Sequence, residues 1–400
     1  MASRAHVLRG VIAVGIASVV MRAGGLIGQV VAGYVLSAGD FGLFAATLGF
    51  GSISAALLST LRPLFIERLT NNQSADALWR VILAFLTAAA VLLIGFAEPI
   101  AGLINRPDAT GVLRLMAPTL PLQFFQVIGI AKLSATFRFQ DSSRILTVAS
   151  LARHGSLILF ALSGFGVASL VLPIYVESIV QVYLLRRSAG PFPRLVGEVR
   201  GVVGRYGQTL GWLLLCAVGL ALTLSGDYLF ITPLETAAIV GFYFFGYQLS
   251  SALTQPFTMA ATSVLVPSFA SIRSDLDRTR SSFLEAIGLL LVVSGLAFGF
   301  VAVTASFAIN AVWGGASSDS VAVVAIMAIG TPFRILQPTC SLLQASAQWR
   351  RLGLVMTVGA TAVIPAVIGA SVGGLRDFAV GATLGAMAAD RLRRYRWPNH

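Results

Sequence analysis

Positive charge in this 400-residue chain recurs in every second gap between its apolar runs. Of the 28 Lys+Arg, 27 are arginine and one is Lys132; 22 lie in, or at the edge of, alternate gaps and the two tails. Arg106, Arg114 and Arg376 fall at the other gaps, and Arg22, Arg153 and Arg334 inside apolar runs. Basic loops collect on the cytoplasmic face of a membrane. The alternation therefore implies an all-α, polytopic membrane protein with an even number of crossings and both termini cytoplasmic.

Composition agrees: 56% of residues are hydrophobic and 11% charged, where a soluble domain carries roughly 25% charged residues. The net charge of +12 belongs to loops between spans, so anionic membrane lipids account for it better than nucleic acid. The two cysteines, Cys216 and Cys340, sit in apolar runs and form no CxxC pair or disulfide framework. No motif for a metal, a cofactor or an enzyme nucleophile is present, so the chain reads as a non-enzyme. The first apolar stretch continues past Arg22 to about Leu36, too long for a signal peptide's core of roughly 7–15 residues, so it reads as a retained span.

A crossing needs about 20 apolar residues. Segments 11–36, 41–66, 78–104, 112–134, 145–163 and 166–185 meet that need, and 206–231, 236–266, 283–310, 320–345, 351–373 and the shorter 375–390 follow. The expectation is about 12 transmembrane helices in two sets of six: an N-lobe at 1–185, a basic cytoplasmic linker at 186–205, and a C-lobe at 206–400. Trp79, Trp212, Trp313, Trp349 and Trp397 fall near span ends, where the amphipathic ring suits the membrane interface. The halves echo each other weakly, LSAGDFGLFAATLGF around Asp40 against ITPLETAAIVGFYFFGYQL around Glu235.

Charge inside a span is costly and marks function by default. Helical spacing puts Ser18, Gly25 and Gln29 on the face of Arg22, and Gln337, Ser341 and Gln344 on that of Arg334. Gln248, Ser251, Gln255, Thr258 and Thr262 form an uncharged stripe, while Arg153 stands beside His154 and Glu177 shares a face with Gln181. Arg22 and Arg334 suit an anionic head group in a water-filled cavity, lined also by Gln29, Gln248, Gln255 and Gln337. Arg153 and Glu177 have two readings: a lock between two helices across the tight 163–166 hairpin, or a cation for cargo and an acid for ion coupling. Asp227, near the outer end of its span, is the other candidate for ion coupling.

Five stretches carry a family resemblance: LSAGDFGLFA at 36–45, AKLSATFRFQ at 131–140, GFGVASLVLP at 164–173, GDYLFITPLETAAIVGFYFFGYQL at 226–249 and VPSFASI at 266–272. With them the chain resembles the polysaccharide transporters of the multidrug/oligosaccharidyl-lipid/polysaccharide flippase superfamily. The resemblance implies two six-helix lobes in a V around a cationic cavity, working by alternating access. It implies a flippase in the inner membrane, carrying an undecaprenyl-pyrophosphate-linked oligosaccharide for lipopolysaccharide or exopolysaccharide synthesis and feeding polysaccharide polymerase machinery. Arg22 matches the first-span arginine of such flippases, whereas Thr232 and Pro233 stand where the family usually carries a charge. A cation-coupled multidrug exporter of the same fold would want acidic cavity residues, yet the deep charges here are mostly arginine. A membrane-embedded glycan polymerase or ligase would want a large outer loop, yet the longest outer gap is about ten residues.

Overall fold

The structure, a computed structural model, describes residues 20–21, 23–70, 76–136, 138–192 and 199–248, together with single positions between 281 and 307. The expected spans at 320–345, 351–373 and 375–390 lie outside the described residues, as do most of 283–310 and the later part of 236–266. Among the described residues every regular element is a helix.

Helix α1 (Ala23–Val35) leads into α2 (Ala38–Thr70). Then follow α3 (Asp76–Gly95), α4 (Ala97–Leu103), α5 (Ala109–Met116), α6 (Thr119–Ala135), α7 (Phe139–Leu162), α8 (Ala168–Ala189) and α9 (Val199–Ile231). Helix α10 opens at 237 and runs through 248. Helices α5 and α6 together make one candidate span, Ala109–Ala135. The step between them falls at Pro118, which has no N–H to continue the ladder. Five helical stretches here are long and apolar enough to cross a membrane, or six if the two legs of α9 count as one. Those legs, Leu210–Leu222 and Ser225–Ile231, meet at 63°, next to Ser225-Gly226, a pairing that weakens a helix.

The second to sixth expected spans thus appear as α2, α3 with α4, α5 with α6, α7 and α8, while of the first, 11–36, the described part is the shorter apolar helix α1. The charged ends run further than hydropathy alone suggests. Helix α8 continues through Ala189 with Arg186 and Arg187 in its last turn, where cations oppose the negative end of the helix dipole. Helix α9 already begins at Val199, so helix occupies both ends of the 186–205 gap. At the other end of α7, Gly164 adopts φ 79 and its N–H bonds to Ala161 O while that of Phe165 bonds to Phe160 O. This is a Schellman ending, completed by the edge-on contact of Phe160 and Phe165 at 5.4 Å. It makes the turn into α8 tight enough for side chains on α7 and α8 to meet.

Helix α2 is the central post. It packs most heavily on α9 and also against α5 and α6, as α7 does on α8. One apolar cluster gathers Leu57, Leu61 and Phe65 of α2, Trp79 of α3, Phe124 of α6 and Leu213 of α9. Trp79 is buried edge-on against Phe65 at 4.4 Å, not spread at the membrane interface. It shares its cluster with Leu61 and Phe65 of α2 and Phe124 of α6, which cover the start of α3. Outward, Phe85, Val91 and Leu92 of α3, Leu103 of α4, and Leu151, Leu159 and Leu162 of α7 are exposed. An apolar belt of that extent suits lipid, not water. The chain is a multi-pass membrane protein.

Candidate functional site

The turns at 36–38, 104–108, 163–167 and 232–236 share the charge-poor end of the bundle, and there the two halves of the chain meet. Ser37 caps α2: its Oγ accepts the Asp40 N–H at 3.1 Å and donates to Asp40 Oδ2 at 2.7 Å, while the Ser37 N–H reaches the same carboxylate oxygen at 3.0 Å. This reciprocal capping box fixes where α2 begins. Thr236 repeats half of it on α10, its Oγ1 accepting the Ile239 N–H at 3.4 Å.

Five residues after each cap stands a glycine, Gly42 and Gly241. A Cβ built on Gly42 would lie 1.8 Å from Ala237 O, and one on Gly241 would lie 1.8 Å from Ala38 O. The two contacts are reciprocal: Ala38 pairs with Gly241 as Ala237 pairs with Gly42. The weak sequence echo between the halves is therefore a structural one, centred on a backbone crossing of α2 and α10. Aromatic rings close around it. Phe41 stacks on Phe244 at 6.2 Å, Phe44 meets Phe244 edge-on at 5.7 Å, and Tyr228 meets Tyr243 at 5.7 Å.

Asp227 lies within this plug, 6% exposed. The Tyr243 hydroxyl donates to its Oδ2 at 2.7 Å. A buried carboxylate depends on such donors, and a hydrogen bond to a charged group contributes about 1.5–3 kcal/mol. Tyr243→Phe should therefore lower the thermal midpoint of the purified protein; an unchanged midpoint would show that the carboxylate is satisfied without Tyr243.

Deeper in the first half, Arg153 of α7 and Glu177 of α8 form an ion pair at 2.9 Å, partly exposed. The tight α7–α8 turn brings them into register, and the helix-to-helix reading of these residues is the geometry observed. His154, next to Arg153, packs into a notch on α1. Cβ atoms on Gly24, Gly25 and Gly28 would meet its ring or Cβ at 3.6, 3.3 and 3.4 Å. The face of α1 that carries Gly24, Gly25 and Gly28 therefore lies against α7. Gln29 on α1 and Gln248 on α10 are half-buried. Arg22, Gln255, Arg334 and Gln337 lie outside the described residues. Asp227 sits between α9 and α10, apart from the Arg153–Glu177 pair between α7 and α8.

Sequence reasoning gave no role to Arg106. Helix α4 ends in a second Schellman turn, with Asn105 at φ 55, its N–H on Gly102 O and the Arg106 N–H on Ala101 O. The turn delivers the Arg106 guanidinium to the other half, where Nη2 donates to Thr232 O at 3.4 Å and to Glu235 O. The available signal was its place among the few arginines that break the alternation.

Residues 34–322 match the family of polysaccharide biosynthesis proteins, across both halves of this crossing. The chain belongs to that family. Among polysaccharide biosynthesis relatives, it is 23% identical over 235 residues to the succinoglycan biosynthesis transport protein ExoT of Rhizobium meliloti (strain 1021), covering 59% of this chain. That match takes in 46% of ExoT, so the chain spans about half the length of this curated relative. Its fold recurs among solved transporter structures. The lipid II flippase MurJ in an inward closed conformation aligns with TM-score 0.76 at 13% identity, over 97% of this chain and 88% of that one. An outward-facing multidrug resistance MATE family transporter aligns with TM-score 0.67 at 14% identity, over 96% and 93%. A MOP superfamily transporter from Pyrococcus furiosus, described as having a binding pocket of reverse polarity, aligns with TM-score 0.65 at 14% identity, over 96% and 93%.

Proposed function

We propose that this member of the polysaccharide biosynthesis family is a flippase that turns undecaprenyl-pyrophosphate-linked oligosaccharide repeat units across the inner membrane, for lipopolysaccharide or exopolysaccharide assembly. The observation that carries the reading is the family match running through both halves of a transporter fold, with α2 packed on both α9 and α10. Backbone contact at the charge-poor end, beyond the apolar packing of α2 on α9, suits a carrier that alternates access. Cargo would enter from the arginine-rich end, which the charge pattern makes cytoplasmic, together with both termini. The lobes are 1–185 and 206–400, joined through the basic 186–205 segment.

Arg22 and Arg334, one in each lobe, are assigned the pyrophosphate, as charge-assisted donors in a low-dielectric cavity. Gln29, Gln248, Gln255 and Gln337 are assigned the sugar hydroxyls. Arg153 is assigned a place at the cavity wall, its charge balanced by Glu177. Asp227, buried where the halves meet, is the stronger candidate for ion coupling, since Glu177 is already engaged by Arg153. No bond is made or broken in this scheme, so no catalytic residue is assigned; the polysaccharide polymerase machinery takes the product. A membrane potential negative inside favours outward movement of each cargo negative charge by about 2.3 kcal/mol per 100 mV.

The test is complementation of a strain that lacks its own repeat-unit flippase, scored as surface polymer. Parental chain should restore it. Arg22→Gln and Arg334→Gln, accumulating at parental levels, should each export about tenfold less polymer, the equivalent of one charge-assisted contact. Export at the parental rate by both variants overturns the cargo site.

A further inference from the structure

We propose that Arg106 is a latch: by bonding to the α9–α10 turn from the opposite half of the chain, it holds the charge-poor end closed and sets how often that end opens. This rests on the fold alone and not on the identity of the cargo.

Three observations carry it. First, the contact joins the two halves. Arg106 stands in the α4–α5 turn, and its guanidinium donates to Thr232 O and Glu235 O, just past the end of α9 at Ile231. Second, the acceptors are of the right kind. Thr232 O and Glu235 O are main-chain oxygens of the α9–α10 turn, outside both helical ladders, and such oxygens need a donor. Third, the donor is pre-set. The Schellman turn with Asn105 in the left-handed region fixes the backbone that bears Arg106, so little conformational freedom is lost when the guanidinium docks.

The neighbouring closure cannot do this work by itself. The Gly42–Gly241 crossing is a van der Waals contact of backbones, and the Asp227–Tyr243 bond in the aromatic plug joins α9 to α10 within one half. Such contacts hold the halves close but offer no single group whose release would be felt. Arg106 supplies that group at the rim of the plug, half-buried and reachable by water. When the end opens, the guanidinium returns to solvent and the carbonyls are hydrated. The exchange is near balance, as a latch must be if the transporter is to cycle.

The test reads opening directly. Thr232 is 1% exposed, so Thr232→Cys is a reporter whose thiol reacts with a maleimide only when the charge-poor end opens. Labelling rates are measured on full-length protein purified in detergent without cargo, subtracting the same variant without Thr232→Cys to remove Cys216 and Cys340. Arg106→Ala is expected to raise the reporter's rate about tenfold, the size of one charge-assisted hydrogen bond. Arg114→Ala, an exposed arginine on α5, should leave it unchanged. An unchanged rate in Arg106→Ala, or an equal rise in Arg114→Ala, overturns the latch. Should Arg106→Ala fail to accumulate, Arg106→Gln replaces it, because the amide is shorter and uncharged; a parental rate in Arg106→Gln then overturns it. Because no transport is measured, failure here is separable from failure of the flippase reading.

Discussion

Gly42→Ala should destabilise the protein by about 3 kcal/mol or more, the upper end for an overpacked site. The added Cβ would fall 1.8 Å from Ala237 O, and the atom in its way is backbone, so no side-chain rotation relieves the clash. The helices must separate by more than an ångström, and the Phe41–Phe244 and Phe44–Phe244 contacts separate with them. Gly241→Ala meets Ala38 O at the same distance and should behave alike. The control is Gly211→Ala in α9, where a Cβ meets nothing within 4 Å. It should stabilise, because alanine is favoured over glycine in a helix by about 1 kcal/mol. Thermal denaturation in detergent decides: if Gly42→Ala melts with Gly211→Ala, the crossing is not a tight contact.

The second large effect should come from separating Arg153 from Glu177. Removing one member of a buried pair costs about 3–5 kcal/mol because the other charge is left uncompensated. The side chains here retain 38% and 24% exposure, which places the expected loss nearer 2–3 kcal/mol, the cost of an arginine charge within a span. Glu177→Gln should therefore be worse than Arg153→Gln with Glu177→Gln together. The double-mutant cycle gives the coupling, expected at about 1–3 kcal/mol for residues in contact. Additive losses would mean that the two charges do not depend on each other, and would return Arg153 to the list of free cargo ligands.

Much of the first half was legible because membrane physics is written in composition. Apolar length set α2, α7 and α8, and the alternation of arginine set which turns share an end. The Arg153–Glu177 contact was also legible, because a hairpin as short as 163–166 leaves side chains on adjoining helices little choice of neighbour. Three features were not. Trp79 obeys the span-end pattern in sequence yet is buried, because Phe65 and its neighbours on α2 pack against it, a contact between helices that span spacing does not encode. The ends of α8 and α9 fell within a stretch that read as linker, because a helix continues into its charged flank wherever dipole and arginine agree. The meeting of the halves was legible only as the weak echo around Asp40 and Glu235: its closest contacts are made by backbone at Gly42 and Gly241 and by main-chain oxygens at Thr232 and Glu235, and neither leaves a side-chain pattern. Arg22 and Arg334, the cations on which the cargo reading leans most, lie outside the described residues, so their role rests on helical spacing and family resemblance.

Arg106 addresses oxygens that every residue possesses. Thr232, Leu234 and Glu235 can therefore drift in identity without loosening it, so long as α9 still ends where it does. Among relatives the arginine would then stay fixed while the residues beneath it vary, and a search for correlated substitutions would pass over the contact.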